Sequence, residues 1–157
     1  MDGEKKMKNL WPDDIVADRE STTSLRILKE QAINLGSLTK NIVKAEVRSR
    51  KDLNTKNSSK LYFDFNIIAP LLQNYRYRLF QVAFDIGRLY PIEMFLDEDL
   101  SHELGHEVNV EDNSKRAPIR VQSDFEFEGL LKEIFNTRTT RNIIKNLKDS
   151  SEEPDSE

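Results

Sequence analysis

The two histidines of the chain, His102 and His106, lie four residues apart, and Glu103 follows the first of them. On a helix, residues four apart share one face, so both imidazoles could reach the same metal ion. Imidazole is a common ligand of Zn²⁺, which prefers four ligands in a tetrahedral arrangement. The chain contains no cysteine, which excludes thiolate metal sites, disulfides and cysteine nucleophiles. This segment is therefore the first candidate for chemistry.

The segment His102-Glu103-Leu104-Gly105-His106 resembles the zinc-binding helix of zincin metallopeptidases. The resemblance implies that the two histidines bind Zn²⁺ and that Glu103 takes a proton from a metal-bound water. It also implies a third protein ligand, often a glutamate at least one helix further along the chain. The glutamates at an acceptable distance are Glu126, Glu128 and Glu133. The resulting hypothesis is a zinc-dependent hydrolase.

The residues around this motif are also typical of a solvated loop. The acidic run Asp97–Asp99 precedes it and Glu107 follows it, and an unpaired carboxylate is costly to bury. Gly105 disfavours a helix by about 1 kcal/mol relative to alanine, and residues 112–114 have the composition of a turn. In this alternative both histidines are exposed and bind no metal. The sequence leaves the two alternatives open and favours the loop.

A second candidate site alternates aromatic and cationic residues over Tyr75–Arg78. Such interleaving occurs on surfaces that stack the bases of single-stranded nucleic acids. In an extended strand, however, Tyr75, Tyr77 and Leu79 would face one side and Arg76, Arg78 and Phe80 the other. Half-buried tyrosines opposite solvated arginines are then the simpler interpretation. Nucleic-acid binding is the weakest of the three functional hypotheses.

Charge and composition exclude further classes of function. The net charge is −4, but residues 1–60 carry a net +4 and residues 91–133 a net −8. Such an acidic centre disfavours a continuous groove for nucleic acid. The five scattered glycines form no phosphate-binding loop. No apolar run approaches the roughly 20 residues of a membrane helix, and residues 1–10 lack a secretory signal. We therefore expect a cytoplasmic protein that binds no membrane.

Hydrophobic periodicity predicts a helix followed by strands. Apolar residues at Leu25, Leu28, Ala32 and Leu35 predict a helix over Ser21–Leu38, which Gly36 would terminate. A shorter helix could begin after Pro12. Alternating apolar residues predict strands at 43–49, 61–67, 75–84 and 90–96, and a short fifth strand at 119–121.

The last third of the chain returns to helical patterns. Ser123 and Glu126 have the spacing of a capping box, and the apolar stripe Phe127, Leu130, Leu131, Ile134 and Phe135 follows it. Another helix is predicted from about Thr139. The element order predicts an α+β fold, in which the helices pack on one face of an antiparallel meander of four or five strands. The predicted divisions are a flexible N-terminus at 1–10, one domain at 11–148 and a disordered acidic tail at 149–157.

The leading functional hypothesis is a non-catalytic module that binds a protein partner or a second copy of itself. Its positive support is the apolar meander, because open strand edges favour pairing with another strand. A homodimer is the expected assembly, and no cofactor is expected. The alternative is the zinc-dependent hydrolase, with His102 and His106 as ligands and Glu103 as general base.

Overall fold

The computed structural model describes residues 7–15, 23–53, 59–105 and 118–152 of the chain. These ranges contain five strands and four α-helices. The strands are β1 (Lys44–Ser49), β2 (Lys60–Ala69), β3 (Tyr75–Asp85), β4 (Ile92–Leu96) and β5 (Ile119–Val121). The helices are α1 (Ser24–Leu38), α2 (Glu98–Glu103), α3 (Asp124–Phe135) and α4 (Arg138–Glu152). None of the described helices is long and apolar enough to cross a membrane.

The five strands form one antiparallel sheet in the order β1-β2-β3-β4-β5. Each strand therefore pairs with its neighbour in sequence, as a meander requires. With one helix before the sheet and two longer helices after it, this architecture confirms the predicted α+β class. The five predicted strands are all present, with ends that differ by at most three residues from the predicted ranges.

One sheet face is apolar and packs against the helices. Phe65 on β2 stacks on Phe80 on β3 with ring centroids 5.0 Å apart, and Phe135 of α3 lies 5.8 Å from Phe65. The helices contribute buried Leu28 of α1 and Phe127 of α3 to the same core. The opposite sheet face carries charged and polar side chains, and we call it the open face.

A bulge in β3 places one core residue, Phe80, on the sheet face opposite to the one that was predicted. Phe65 pairs with Phe80, but the next residue, Asn66, pairs with Arg78, so Leu79 has no partner of its own on β2. An extra residue shifts the alternation of the strand. Phe80 therefore faces the core together with Tyr77, whereas strict alternation predicts that it lies beside the arginines. Leu79 and Phe80 are both buried.

Helix α1 ends beyond its predicted terminator. The helix begins after Thr23, whose hydroxyl accepts a hydrogen bond from Arg26 N at 3.2 Å. Gly36, predicted to terminate it, lies inside the helix, which continues to Leu38. The glycine instead permits a close approach, because a Cβ at this position would lie 2.9 Å from Asn41 Oδ1.

The C-terminal helices follow the predicted signals. Glu126 N donates to Ser123 Oγ at 3.1 Å, which confirms the N-terminal cap of α3, and the Glu126 carboxylate accepts from Gln122 N at 2.7 Å. Helix α4 continues to Glu152, into the segment predicted to be a tail, where Lys148 pairs with Glu152 at 3.2 Å. Residues 153–157 and 1–6 lie outside the described residues, as does most of the segment after Pro12.

Candidate functional site

Helix α2 contains the first half of the histidine motif and ends before the second half. Asp97 caps its start by accepting a hydrogen bond from Leu100 N at 2.9 Å. His102 is exposed in the last turn, and Gly105 follows the helix with a φ of +75°, a left-handed conformation that commonly terminates helices at glycine. His106 lies outside the described residues, so zinc binding by the two histidines stays a prediction.

Glu103, the predicted general base, contacts the first turn of α4. Its Oε1 accepts hydrogen bonds from Thr139 Oγ1 and, at 2.8 Å, from Thr139 N, while its Oε2 accepts from Arg138 N at 2.8 Å. These groups are free donors at a helix N-terminus, where a carboxylate is favoured. The Thr139 hydroxyl, followed by the backbone donors, lowers the pKa of Glu103 below its ordinary value. In this arrangement the carboxylate joins α2 to α4.

Replacing Glu103 by alanine should therefore lower the Tm at pH 7 by a few degrees, because Arg138 N and Thr139 N in the first turn of α4 lose their acceptor. A lowered pKa means that this stabilisation is present above the unfolded-state pKa and disappears as the pH falls through the folded-state pKa. The difference in Tm should thus shrink between pH 7 and pH 3. Thermal unfolding followed by circular dichroism measures both effects. Glu133→Ala, an exposed glutamate on α3, is the control, and equal Tm values for the two variants would contradict the capping role.

The predicted third ligands do not converge on α2 in the described part of the chain. Glu126 belongs to the cap of α3, and Glu128 and Glu133 are exposed on that helix. Among the described residues, no three His, Cys, Asp or Glu side chains form a group that could hold a metal ion. Their assignment as ligands also stays a prediction.

The open face contains a concave site that we call the arginine basin. Its floor consists of Asp64 and Asn66 on β2, which are 6% and 2% exposed. Arginine side chains lie on both sides of this floor, because β1 and β3 flank β2. They are Arg48 and Arg50 on the β1 side and Arg76 and Arg78 on the β3 side. The basin has a volume of about 680 Å³.

Arg50 is fully engaged by two carboxylates at the edge of the basin. Its Nη1 donates to Asp64 at 2.9 Å, while Nε and Nη2 donate to Asp52 at 2.9 Å and 2.6 Å. These hydrogen bonds raise the pKa of Arg50, and the bond from Arg50 lowers the pKa of Asp52 to about 2. Gln81 Nε2 donates to the other oxygen of Asp64 at 2.9 Å. The floor of the basin is thus a hydrogen-bonded network.

The other arginines of the basin differ in whether a carboxylate contacts them. Arg76 Nε lies 2.6 Å from Glu46 Oε1, which also accepts from Asn66 Nδ2 at 3.1 Å. Arg78 is 57% exposed, and its nearest carboxylate oxygen, on Asp64, is 4.0 Å away. Arg48 has no ion pair or hydrogen bond to any other described residue through its side chain. Arg48 and Arg78 are therefore available to a ligand.

A second concave site follows the edge of β3 where β4 ends. Strand β4 pairs with Phe80–Phe84 only. Residues 75–78 are therefore paired with β2 on one side, Leu79 is the bulged residue, and none of the five pairs with a described strand on the other side. A groove of about 700 Å³ follows this edge and contacts Leu79, Leu96 and Asp97. Tyr77 Oη donates to Asp97 Oδ2 at 3.2 Å, and burial, reinforced by Asp97, raises the pKa of Tyr77 to about 12.

The structure separates the tyrosines from the arginines of the 75–78 segment, as predicted. Arg76 and Arg78 lie across from Ile68 and Asn66 on the open face, whereas Tyr77 packs against the core and Tyr75 is 50% exposed. Sequence reasoning did not identify Arg48 and Arg50 as their neighbours. The signal available for this was the meander, which places β1 and β3 on either side of β2.

Comparison with known proteins gives no match to a family model, to a curated protein or to a solved structure.

Proposed function

We propose that this chain is a non-catalytic interaction module that binds an extended segment of a protein partner along the free edge of β3. One observation carries the proposal. Residues 75–79 belong to a long strand, yet among the described residues none of them has a strand partner on the side away from β2. Unpaired backbone N–H and C=O groups along an edge can accept one more strand.

The groove beside this edge supplies the contacts that a bound strand needs. Its lining includes apolar Leu79, Phe95 and Leu96 and charged Arg78 and Asp97. In strand addition, backbone hydrogen bonds provide affinity while alternate side chains enter pockets and provide specificity. Strand β1 is also a sheet edge and exposes Lys44 and Arg48, but the groove that contacts Leu79, Leu96 and Asp97 lies beside β3.

The charge of the edge favours a different chain over a second copy of this one. If two copies paired antiparallel about Tyr77, Arg76 of each would lie directly opposite Arg78 of the other. Like charges at directly opposed positions destabilise a strand pair. The partner segment should therefore alternate acidic residues, which face Arg76 and Arg78, with apolar residues, which face the core side. If the protein instead forms the predicted homodimer, analytical ultracentrifugation will detect it.

The arrangement of Glu103 supports the non-catalytic part of the proposal. A general base must present a carboxylate oxygen to its substrate or to a bound water. Both oxygens of Glu103 instead accept hydrogen bonds from α4. The zinc-dependent hydrolase stays the alternative, and one zinc per untagged chain, lost in His106→Ala, would favour it.

A synthetic peptide that alternates glutamate and valine tests the proposed site. We expect amide chemical-shift changes and slowed hydrogen exchange at residues 75–79 when it binds. Arg78→Glu should weaken the affinity by about tenfold or more. Arg120→Glu is the matched control, because Arg120 is exposed on the same face but on β5, and it should bind as the wild type does.

Two results would contradict the proposal. One is binding of a peptide with the same composition in two blocks, four glutamates followed by four valines, as tightly as the alternating peptide. The other is a stable dimer in analytical ultracentrifugation whose amides at residues 75–79 are protected without peptide. The second result would assign the edge to self-association.

A further inference from the structure

The shape of the arginine basin follows from the lengths of its side chains. Asp64 and Asn66 are short and lie on the central strand of three. Arg48 is the direct pairing partner of Asp64, and Arg78 is that of Asn66. Long side chains on the outer strands thus surround short ones on the middle strand. The result is a cavity whose floor is polar and whose rim is cationic.

The charges of the basin do not balance. Among the described residues, five cationic side chains line it, namely Arg48, Arg50, Lys51, Arg76 and Arg78. Three carboxylates face them, those of Asp52, Asp64 and Glu46, which leaves an excess of two positive charges. Arg50 and Arg76 hold the carboxylates at 2.9 Å or less. These two arginines and the three carboxylates together carry one negative charge. Arg48, Arg78 and Lys51 carry three positive charges, which gives the excess of two.

We infer that the arginine basin binds a single phosphoryl group, bound between Arg48 and Arg78 with Lys51 at the rim. A phosphate monoester carries close to two negative charges at neutral pH, which matches the excess charge. Its three terminal oxygens can accept paired hydrogen bonds from guanidinium groups, whose planar fork suits phosphate. Arg78 lines both the basin and the strand-edge groove, but Arg48 and Lys51 line the basin only, so a variant of Arg48 tests this inference separately from the strand-edge site.

The floor of the basin links the strands that carry the binding groups. Asp64 is buried and accepts from Arg50 and Gln81, so it anchors the β1 side of the basin to β3.

A nucleic acid fits these observations less well than one phosphoryl group. A polynucleotide needs cations that follow its backbone over several phosphates. The five cations that line the basin are grouped in one concave site and are interrupted by Asp52 and Glu46. The phosphoryl group could belong to a small phosphate ester or to a phosphorylated side chain of a protein, and the recognised chemistry is the same.

Titrations of the full chain with three probes at low salt test this site. The probes are inorganic phosphate, a short phosphoserine peptide of glycine and alanine, and a single-stranded oligonucleotide. We expect saturable binding of the phosphoserine peptide, with amide shifts at residues 48–51 and 76–78. Arg48→Ala should weaken it by about tenfold or more. Arg120→Ala removes the same charge from the open face outside the basin and should have little effect.

The outcomes separate the sources of the phosphoryl group. Comparable binding of inorganic phosphate would indicate a small phosphate ester, and binding of the peptide alone would indicate a phosphorylated protein. Three results would overturn the inference. They are no binding of inorganic phosphate or of the phosphoserine peptide, equal losses of affinity in Arg48→Ala and Arg120→Ala, and tighter binding of the oligonucleotide than of the phosphoserine peptide. Arg48 lies outside the strand-edge groove. Arg48→Ala should therefore lose binding of the phosphoserine peptide and still bind the glutamate–valine peptide as the wild type does.

Discussion

Replacing Phe80 by alanine should lower the free energy of unfolding by about 4 kcal/mol. Phe80 is 1% exposed and stacks on Phe65 at 5.0 Å, and Phe135 of α3 lies 6.5 Å away. The change removes apolar contacts and leaves a cavity between the sheet and α3 that neither element can close. Urea unfolding followed by circular dichroism measures the loss. A value of this size is a large part of the stability of an ordinary domain.

Phe125 is the matched control for this variant. It is also a phenylalanine, but it lies at the start of α3 and is 87% exposed. Phe125→Ala should change the free energy of unfolding by less than about 0.5 kcal/mol, because the side chain loses no buried contact. Similar values for the two variants would mean that Phe80 is not part of the core. They would thereby contradict the bulge at Leu79.

That bulge shows where sequence periodicity stops being sufficient. Alternation of apolar and polar residues identified β3 and the facing of Tyr77, Arg76 and Arg78. Its assignment of Phe80 to the arginine side failed because an extra residue, Leu79, shifts the strand by one position. Bulges are local departures from the pairing of two strands. A single-strand pattern contains no information about how its partner strand is aligned.

The arginine basin depends in the same way on contacts between strands. Arg48 and Arg78 are thirty residues apart in sequence, and each alone is typical of a solvated strand face. Alternation predicts that Asp64 and Asn66 face solvent, yet both are buried because arginines from the two flanking strands cover them. The meander gives the neighbours of β2, but the pairing register decides which side chains meet.

The histidine motif illustrates a different difficulty, which is contact between distant segments. Its spacing predicts a shared helix face only if a helix spans the whole motif. In the structure α2 ends at Glu103, and this residue binds backbone groups of α4 that are 35 and 36 residues away. The cap of a later helix thus uses a carboxylate that the motif assigns to chemistry. No local pattern indicates such a contact.

Replacing Asp64 by alanine should lower the free energy of unfolding by about 2 kcal/mol. The carboxylate side chain is 8% exposed and accepts from Arg50 Nη1 and Gln81 Nε2, both at 2.9 Å. Its removal leaves the Gln81 amide without this acceptor and Arg50 with one fewer carboxylate. The loss should be smaller than the roughly 3–5 kcal/mol of a fully buried ion pair, because the Arg50 side chain is 27% exposed and water reaches it.

Asp52→Ala shows whether burial or charge causes the loss of unfolding free energy in Asp64→Ala, since Asp52 binds the same arginine through two hydrogen bonds. Its side chain is 62% exposed, so water can replace the lost partner, and an exposed ion pair contributes little. Urea unfolding should therefore show a clearly larger loss for Asp64→Ala than for Asp52→Ala. Asp64→Asn should lie between them, because an amide oxygen can still accept from Gln81. If Asp52→Ala costs as much as Asp64→Ala, the net charge around Arg50 stabilises this part of the sheet, and the buried network beneath the arginine basin does not.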